Sequence, residues 1–84
     1  NKEAKKQLQK QRRIVDQLDE KIRLLKQEYV QLELQLSAPD LYADKNKCRD
    51  AEMAYKKSEQ ILAEVRLDYD TALERLMELE ESNT

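Results

Sequence analysis

Ser37-Ala38-Pro39-Asp40 interrupts two long runs of heptad spacing, and the way the chain crosses these four residues decides its fold. Upstream, apolar or small residues recur at alternating steps of four and three: Ala4, Leu8, Gln11, Val15, Leu18, Ile22, Leu25, Tyr29, Leu32 and Leu36. Downstream the pattern restarts at Cys48 and continues through Ala51, Tyr55, Ser58, Leu62, Val65, Tyr69, Ala72, Leu76 and Leu79. Each run draws one narrow seam down a long helix. Pro39 has no N–H to donate and disfavours helical geometry at Ala38, so the first helix must end before it. The pattern predicts an all-α fold, two long helices forming an antiparallel coiled-coil hairpin.

The expected layout is a single coiled-coil hairpin over residues 1–84, with helix one at about 2–36, a tip at 37–47 and helix two at about 44–81. Asp40 is placed to open a short helical turn over Leu41, Tyr42 and Ala43, and Asp44 is the better N-cap for helix two. Leu41 and Tyr42 are expected to turn inward and close the seam. The tail Ser82-Asn83-Thr84 is expected to fray.

Composition narrows the function classes. The chain has 84 residues, no glycine, four tyrosines as its only aromatics, and 40% charged residues. That is the composition of long helix rather than of a globular domain with turns and a bulky core. The periodic leucines separate it from charge-rich disorder. No stretch approaches the roughly 20 apolar residues of a membrane span, so no membrane contact is expected. The sequence opens at Asn1 without a methionine, which reads as a fragment of a larger protein. The single cysteine fits a reducing, cytoplasmic setting, and Cys48 falls on the seam as a small packed residue.

Charge is distributed along the chain with a purpose. Residues 1–26 carry nine basic and four acidic side chains, net +5, while residues 61–84 carry two basic and seven acidic, net −5. Between them, residues 27–43 carry three acidic side chains and no basic one. A hairpin lays the basic start beside the acidic end, whereas a parallel dimer would face each against its own copy. The preferred register sets Leu25 against Leu62 and Ile22 against Val65. Its flanks would bring Lys26 near Glu59, Asp19 near Arg66, Lys5 near Glu80 and Lys21 near Asp68, leaving Glu33 poorly placed against Glu52. A seven-residue slip would match Tyr29 with Ala51 but set Asp19 near Glu59 and Arg12 near Arg66. Ile14 and Ile61 widen the seam. Leu24, Leu34 and Leu67 face outward, either as scattered exposed leucines or as contacts to a parent domain or to a second copy in a homodimer.

Catalytic chemistry finds no residues to carry it. Histidine, glycine and tryptophan are absent and cysteine is unpaired, which removes imidazole acid–base work, Gly-rich phosphate loops and Cys/His metal sites. No catalytic, cofactor-binding or metal residues are assigned, and no cofactor and no enzymatic activity are expected. Binding remains. One basic cluster, Lys45, Lys47, Arg49, Lys56 and Lys57, sits near the tip, and a second, Lys5, Lys6, Lys10, Arg12 and Arg13, near the start. Such charges serve either as a solvated helix face or as contacts to a nucleic-acid backbone. Tyr29, Tyr55 and Tyr69 are seam residues, so base stacking has no support.

The stretch Leu36-Ser37-Ala38-Pro39-Asp40-Leu41-Tyr42-Ala43-Asp44-Lys45 resembles the turn of the C-terminal coiled-coil hairpin in ABC-F subfamily ATP-binding-cassette ATPases. There a leucine-rich helix leads into a dP-x-LY-x-D turn, and the second helix ends near an aromatic-x-x-Arg-Trp-x-x-Leu-Glu motif. Here that end reads Tyr69 to Glu80, with Arg75, Leu79 and Glu80 matching and Leu76 standing where the family often has Trp. The resemblance implies a non-catalytic cytoplasmic arm, with the parent's ATPase domains upstream. It further implies contact with the ribosome, its RNA, tRNA or DNA through the tip residues Lys45, Lys47, Arg49, Lys56 and Lys57. Helical arms of seryl- and valyl-type tRNA synthetases are similar and also touch RNA. The rival class is a structural coiled coil that dimerises or scaffolds.

Overall fold

The computed structural model describes residues 1–83. Helix α1 (Lys2–Leu36) and helix α2 (Lys45–Ser82) are joined by a single 3-10 turn, Pro39–Ala43. They pack side by side as an antiparallel rod of 63 × 14 × 14 Å with a radius of gyration of 18.8 Å, against about 12 Å for a globular chain of this length. Among the described residues none has positive φ and no peptide bond is cis, so the reversal is made without glycine.

The tip shows how. α1 stops at Leu36, and Ser37 folds its hydroxyl back to donate to the Leu34 carbonyl at 2.8 Å. Ala38 is extended, as a residue before proline must be. Pro39 then starts the 3-10 turn, where its missing N–H costs nothing. Asp44 ends that turn through its backbone N–H to the Leu41 carbonyl and opens α2 with its side chain. Its Oδ1 accepts from the N–H groups of Asn46 at 3.0 Å and Lys47 at 3.2 Å. α2 therefore begins at Lys45, and Lys45 and Lys47 belong to its first turn rather than to the tip. Tyr42 corrects one expectation. Leu41 turns half inward, but Tyr42 stays exposed and its hydroxyl donates to the free Leu36 carbonyl at 2.6 Å. A helix end leaves its last carbonyls unpaired, and this one is satisfied from outside. The other end also differs. Ser82 is the last residue of α2 and donates to the Glu78 carbonyl, and the Asn83 side-chain amide donates to the Leu79 carbonyl at 2.7 Å, which ties both to the last turn. Thr84 lies outside the described residues.

Every seam residue of both runs is buried or half-buried. Val15 clusters with Ala72 and Leu76, and Tyr29 stacks on Tyr55 with ring centroids 4.8 Å apart. Val15 beside Ala72 is a pairing of the register that would also set Leu25 against Leu62 and Ile22 against Val65, while Tyr29 meets Tyr55, about one turn from both Ser58 and Ala51. Ile14, Ile61 and Leu73 widen the core as half-buried flanks. Burial is lopsided: among the described residues α2 supplies seven of the eight buried ones, α1 only Val15. α2 brings the small Ala51, Ser58 and Ala72 into the seam, and the larger side chains of α1 reach over them. With only two helices, those larger side chains keep one edge in water.

Candidate nucleic-acid interface

Three polar features decide what the rod can present. The first lies in the seam. Gln11 extends across to α2, and its Nε2 donates to the Ala72 carbonyl at 2.9 Å, where alanine leaves room. A polar residue in a coiled-coil seam fixes register at some expense of stability. The hydroxyls of Tyr29 and Tyr55 share a 2.6 Å hydrogen bond beside their stacked rings.

That bond, then burial, then the neighbouring negative charges of Tyr55, Glu59 and Glu33 push the Tyr29 phenol up to about 12. An ordinary tyrosine loses its proton near pH 10. Between the two values the folded chain holds a proton that the unfolded chain has released, so stability falls as pH rises. The contribution is whole below about pH 10 and gone above about 12. Melting temperatures measured from pH 9 to 12 are expected to fall more steeply for the natural chain than for Tyr29→Phe. Equal slopes would show that the tyrosine pair titrates normally.

The second feature is the pattern of ion pairs along the flanks. Among the described residues, pairs within 4.0 Å join Arg12 to Glu80, Arg23 to Glu20 and Arg75 to Glu78. The last two are local, three residues apart, and the Arg23 guanidinium holds Glu20 below the usual carboxylate range. Lys26 with Glu59, Asp19 with Arg66, Lys5 with Glu80 and Lys21 with Asp68 do not form. Side chains on a helix lean towards its N-terminus, so those of α1 lean towards the open end and those of α2 towards the tip. Lys26 and Glu59 still line one groove, though not as an ion pair within 4.0 Å. Glu80 instead meets Arg12, which starts nearer the tip and leans down to it. Beside Tyr29, the two cations Lys26 and Arg66 and the two acids Glu33 and Glu59 rim one open groove.

The third feature is the basic residues themselves. All ten are exposed. At 100° per residue, Lys45, Arg49, Met53 and Lys57 form one i, i+4 row across the outer face of α2, with Lys56 beside it. Lys47 points to the opposite flank, next to the seam, and is not part of the row. None of these five cations makes an ion pair with a described residue. Met53, 63% exposed, sits in the middle of the row. As an apolar residue off the seam, it joins the row only through its four-residue spacing from both Arg49 and Lys57. The row spans about 18 Å from Lys45 to Lys57.

The cluster near the start divides as well. Arg12 is spent on Glu80, and Lys5 shares that flank. Lys6, Lys10 and Arg13 lie on the outward side of α1. The two basic faces look in opposite directions from opposite ends of the rod, so they cannot act as one patch. Among the described residues, no group of three or more His, Cys, Asp or Glu side chains is arranged to hold a metal ion. No helix is long and apolar enough to cross a membrane. No protein-family model, curated protein or solved structure matches this chain.

Proposed function

We propose that the hairpin is a non-catalytic helical arm that lays the outer face of α2 near its tip against a nucleic-acid backbone. The observation that carries this is the row Lys45, Arg49 and Lys57, with Lys56 beside it. These cations share one face without ion pairs, while Arg12, Arg23 and Arg75 are partnered by carboxylates. Phosphate contact asks for unspent charge of this kind, and a rigid rod delivers it at a distance from whatever holds its base. An ABC-F-like ATPase as the parent rests on the resemblance of Leu36–Lys45 and Tyr69–Glu80. Pro39, Tyr42 and Asp44 each have a structural task in the turn, so that motif speaks for the hairpin's geometry as well as for a family. Ribosomal RNA, tRNA and DNA are the substrates the resemblance suggests.

Four phosphate contacts give a slope near −3.6 in log affinity against log salt on duplex DNA, and about a hundredfold loss between 50 and 200 mM salt. Fluorescence anisotropy with labelled duplex DNA and structured RNA reads this directly. Lys45, Arg49, Lys56 and Lys57→Glu together are expected to abolish binding, whereas Lys47→Glu alone leaves the salt slope nearly unchanged. Absence of binding at low salt, or a slope indifferent to the fourfold change, would reject the arm reading.

A further inference from the structure

The outer face of α1 carries a second stripe with the same alternation as the seam. Leu24, Gln27, Gln31 and Leu34 follow one another at steps of three, four and three, with Val30 beside them. Leu24 is 52% exposed, Val30 49% and Leu34 59%. The side chains from Arg23 to Gln31 line a shallow open groove there. Read from either end, the stripe is the same: leucine, glutamine, glutamine, leucine. A palindrome of this kind is what a two-fold interface requires, since each residue must suit the residue that its symmetry mate faces.

We propose that this face is a self-association surface on which a second copy of the chain packs antiparallel, its two-fold axis passing near Tyr29. Leu24 then opposes Leu34 of the other copy, Gln27 opposes Gln31, and Val30 meets its own equivalent. Charge chooses the direction. The same face of α1 continues towards the open end as Lys6, Lys10 and Arg13, and a parallel pair would stack these cations on their copies. In the antiparallel pair they project past the end of the partner's α1. From Leu24 to Leu34 the stripe bears no charge, though Arg23, Lys26 and Glu28 line the groove beside it; Glu28 is the acid there that approaches its own equivalent. The outer face of α2, with its basic row, stays free in both copies.

The overlap, from about residue 20 to 38, is roughly 27 Å long and one helix wide. That places the buried area near or below about 1,200 Å², the class of weak and reversible contacts. Association is therefore expected at tens to hundreds of micromolar. Sedimentation equilibrium from about 10 µM to 1 mM should show the 10.0 kDa chain passing to twice its mass. The Leu24→Asp, Leu34→Asp double variant should remain monomeric, with unchanged helicity by circular dichroism. A monomer at 1 mM, or a double variant that still associates, would overturn the proposal. Direction is read in a Cys48→Ser background by mixing Leu24→Cys chains with Leu34→Cys chains under mild oxidation. Mixed cross-links are expected to dominate, and predominance of like-with-like cross-links would overturn the antiparallel arrangement.

Discussion

Replacing Leu62 with alanine is expected to destabilise the hairpin by about 2–4 kcal/mol, the largest effect of any single truncation along the rod. Leu62 is 6% exposed and walls the groove that holds Tyr29. The loss combines the transfer free energy of the removed methyl groups with the cavity they leave. A two-helix rod has no third layer to close that cavity. In a chain of this size each kcal/mol moves the melting temperature by about 4–8 °C, so a fall of more than 10 °C is expected by circular dichroism. Leu67→Ala is the matched control: Leu67 is 67% exposed and lies on the outer face of α2, and its truncation should stay within about 0.5 kcal/mol. Similar losses for both variants would mean that the seam is not what holds the helices together.

The hairpin was legible because its causes are local and repetitive. A heptad seam states which face is buried, a proline states where a helix must stop, and Asp44 has the side chain a helix start needs. All twenty seam positions from Ala4 to Leu79 are buried or half-buried as their spacing requires. The flanks were less legible. Charge signs and residue spacing suggested Lys5 for Glu80, but the choice of Arg12 depends on the tilt of the Cα–Cβ bonds, which spacing alone does not express. Tyr42 was misplaced for a related reason. Its ring counted as apolar surface, while its hydroxyl was wanted by the Leu36 carbonyl at the helix end.

The candidate binding surface was legible only as a composition. Five cations within thirteen residues read as one cluster, yet helical geometry sends Lys47 to the far flank and draws the uncharged Met53 into the row. The palindrome on α1 is hidden from hydrophobic spacing because its two glutamines are polar. Both surfaces follow from the fold once the seam fixes which side of each helix faces out.

Ser58 is where the seam's specificity can be measured, because two substitutions there should act in opposite directions. Its side chain is buried at 5% exposure, and Oγ has no hydrogen-bond partner. The register that pairs Val15 with Ala72 sets Ser58 level with Tyr29, whose ring stacks on Tyr55. A small residue is needed at that layer, but its hydroxyl is not. Ser58→Ala keeps the space, removes the unpartnered oxygen and improves helix propensity, so a gain of about 1 kcal/mol is expected. Ser58→Leu places a large side chain opposite the tyrosine pair, and overpacking of this kind costs about 1–3 kcal/mol. The strain has an outlet, since a seven-residue slip would move Tyr29 away from position 58 to face Ala51. That slip separates the Tyr29 and Tyr55 hydroxyls, so the Leu variant should also lose the late tyrosine titration near pH 12 when followed by absorbance at 295 nm. A Leu variant as stable as the natural chain, with that titration intact, would show that the tyrosine layer does not set the register. The register would then rest on Gln11 and its bond to the Ala72 carbonyl.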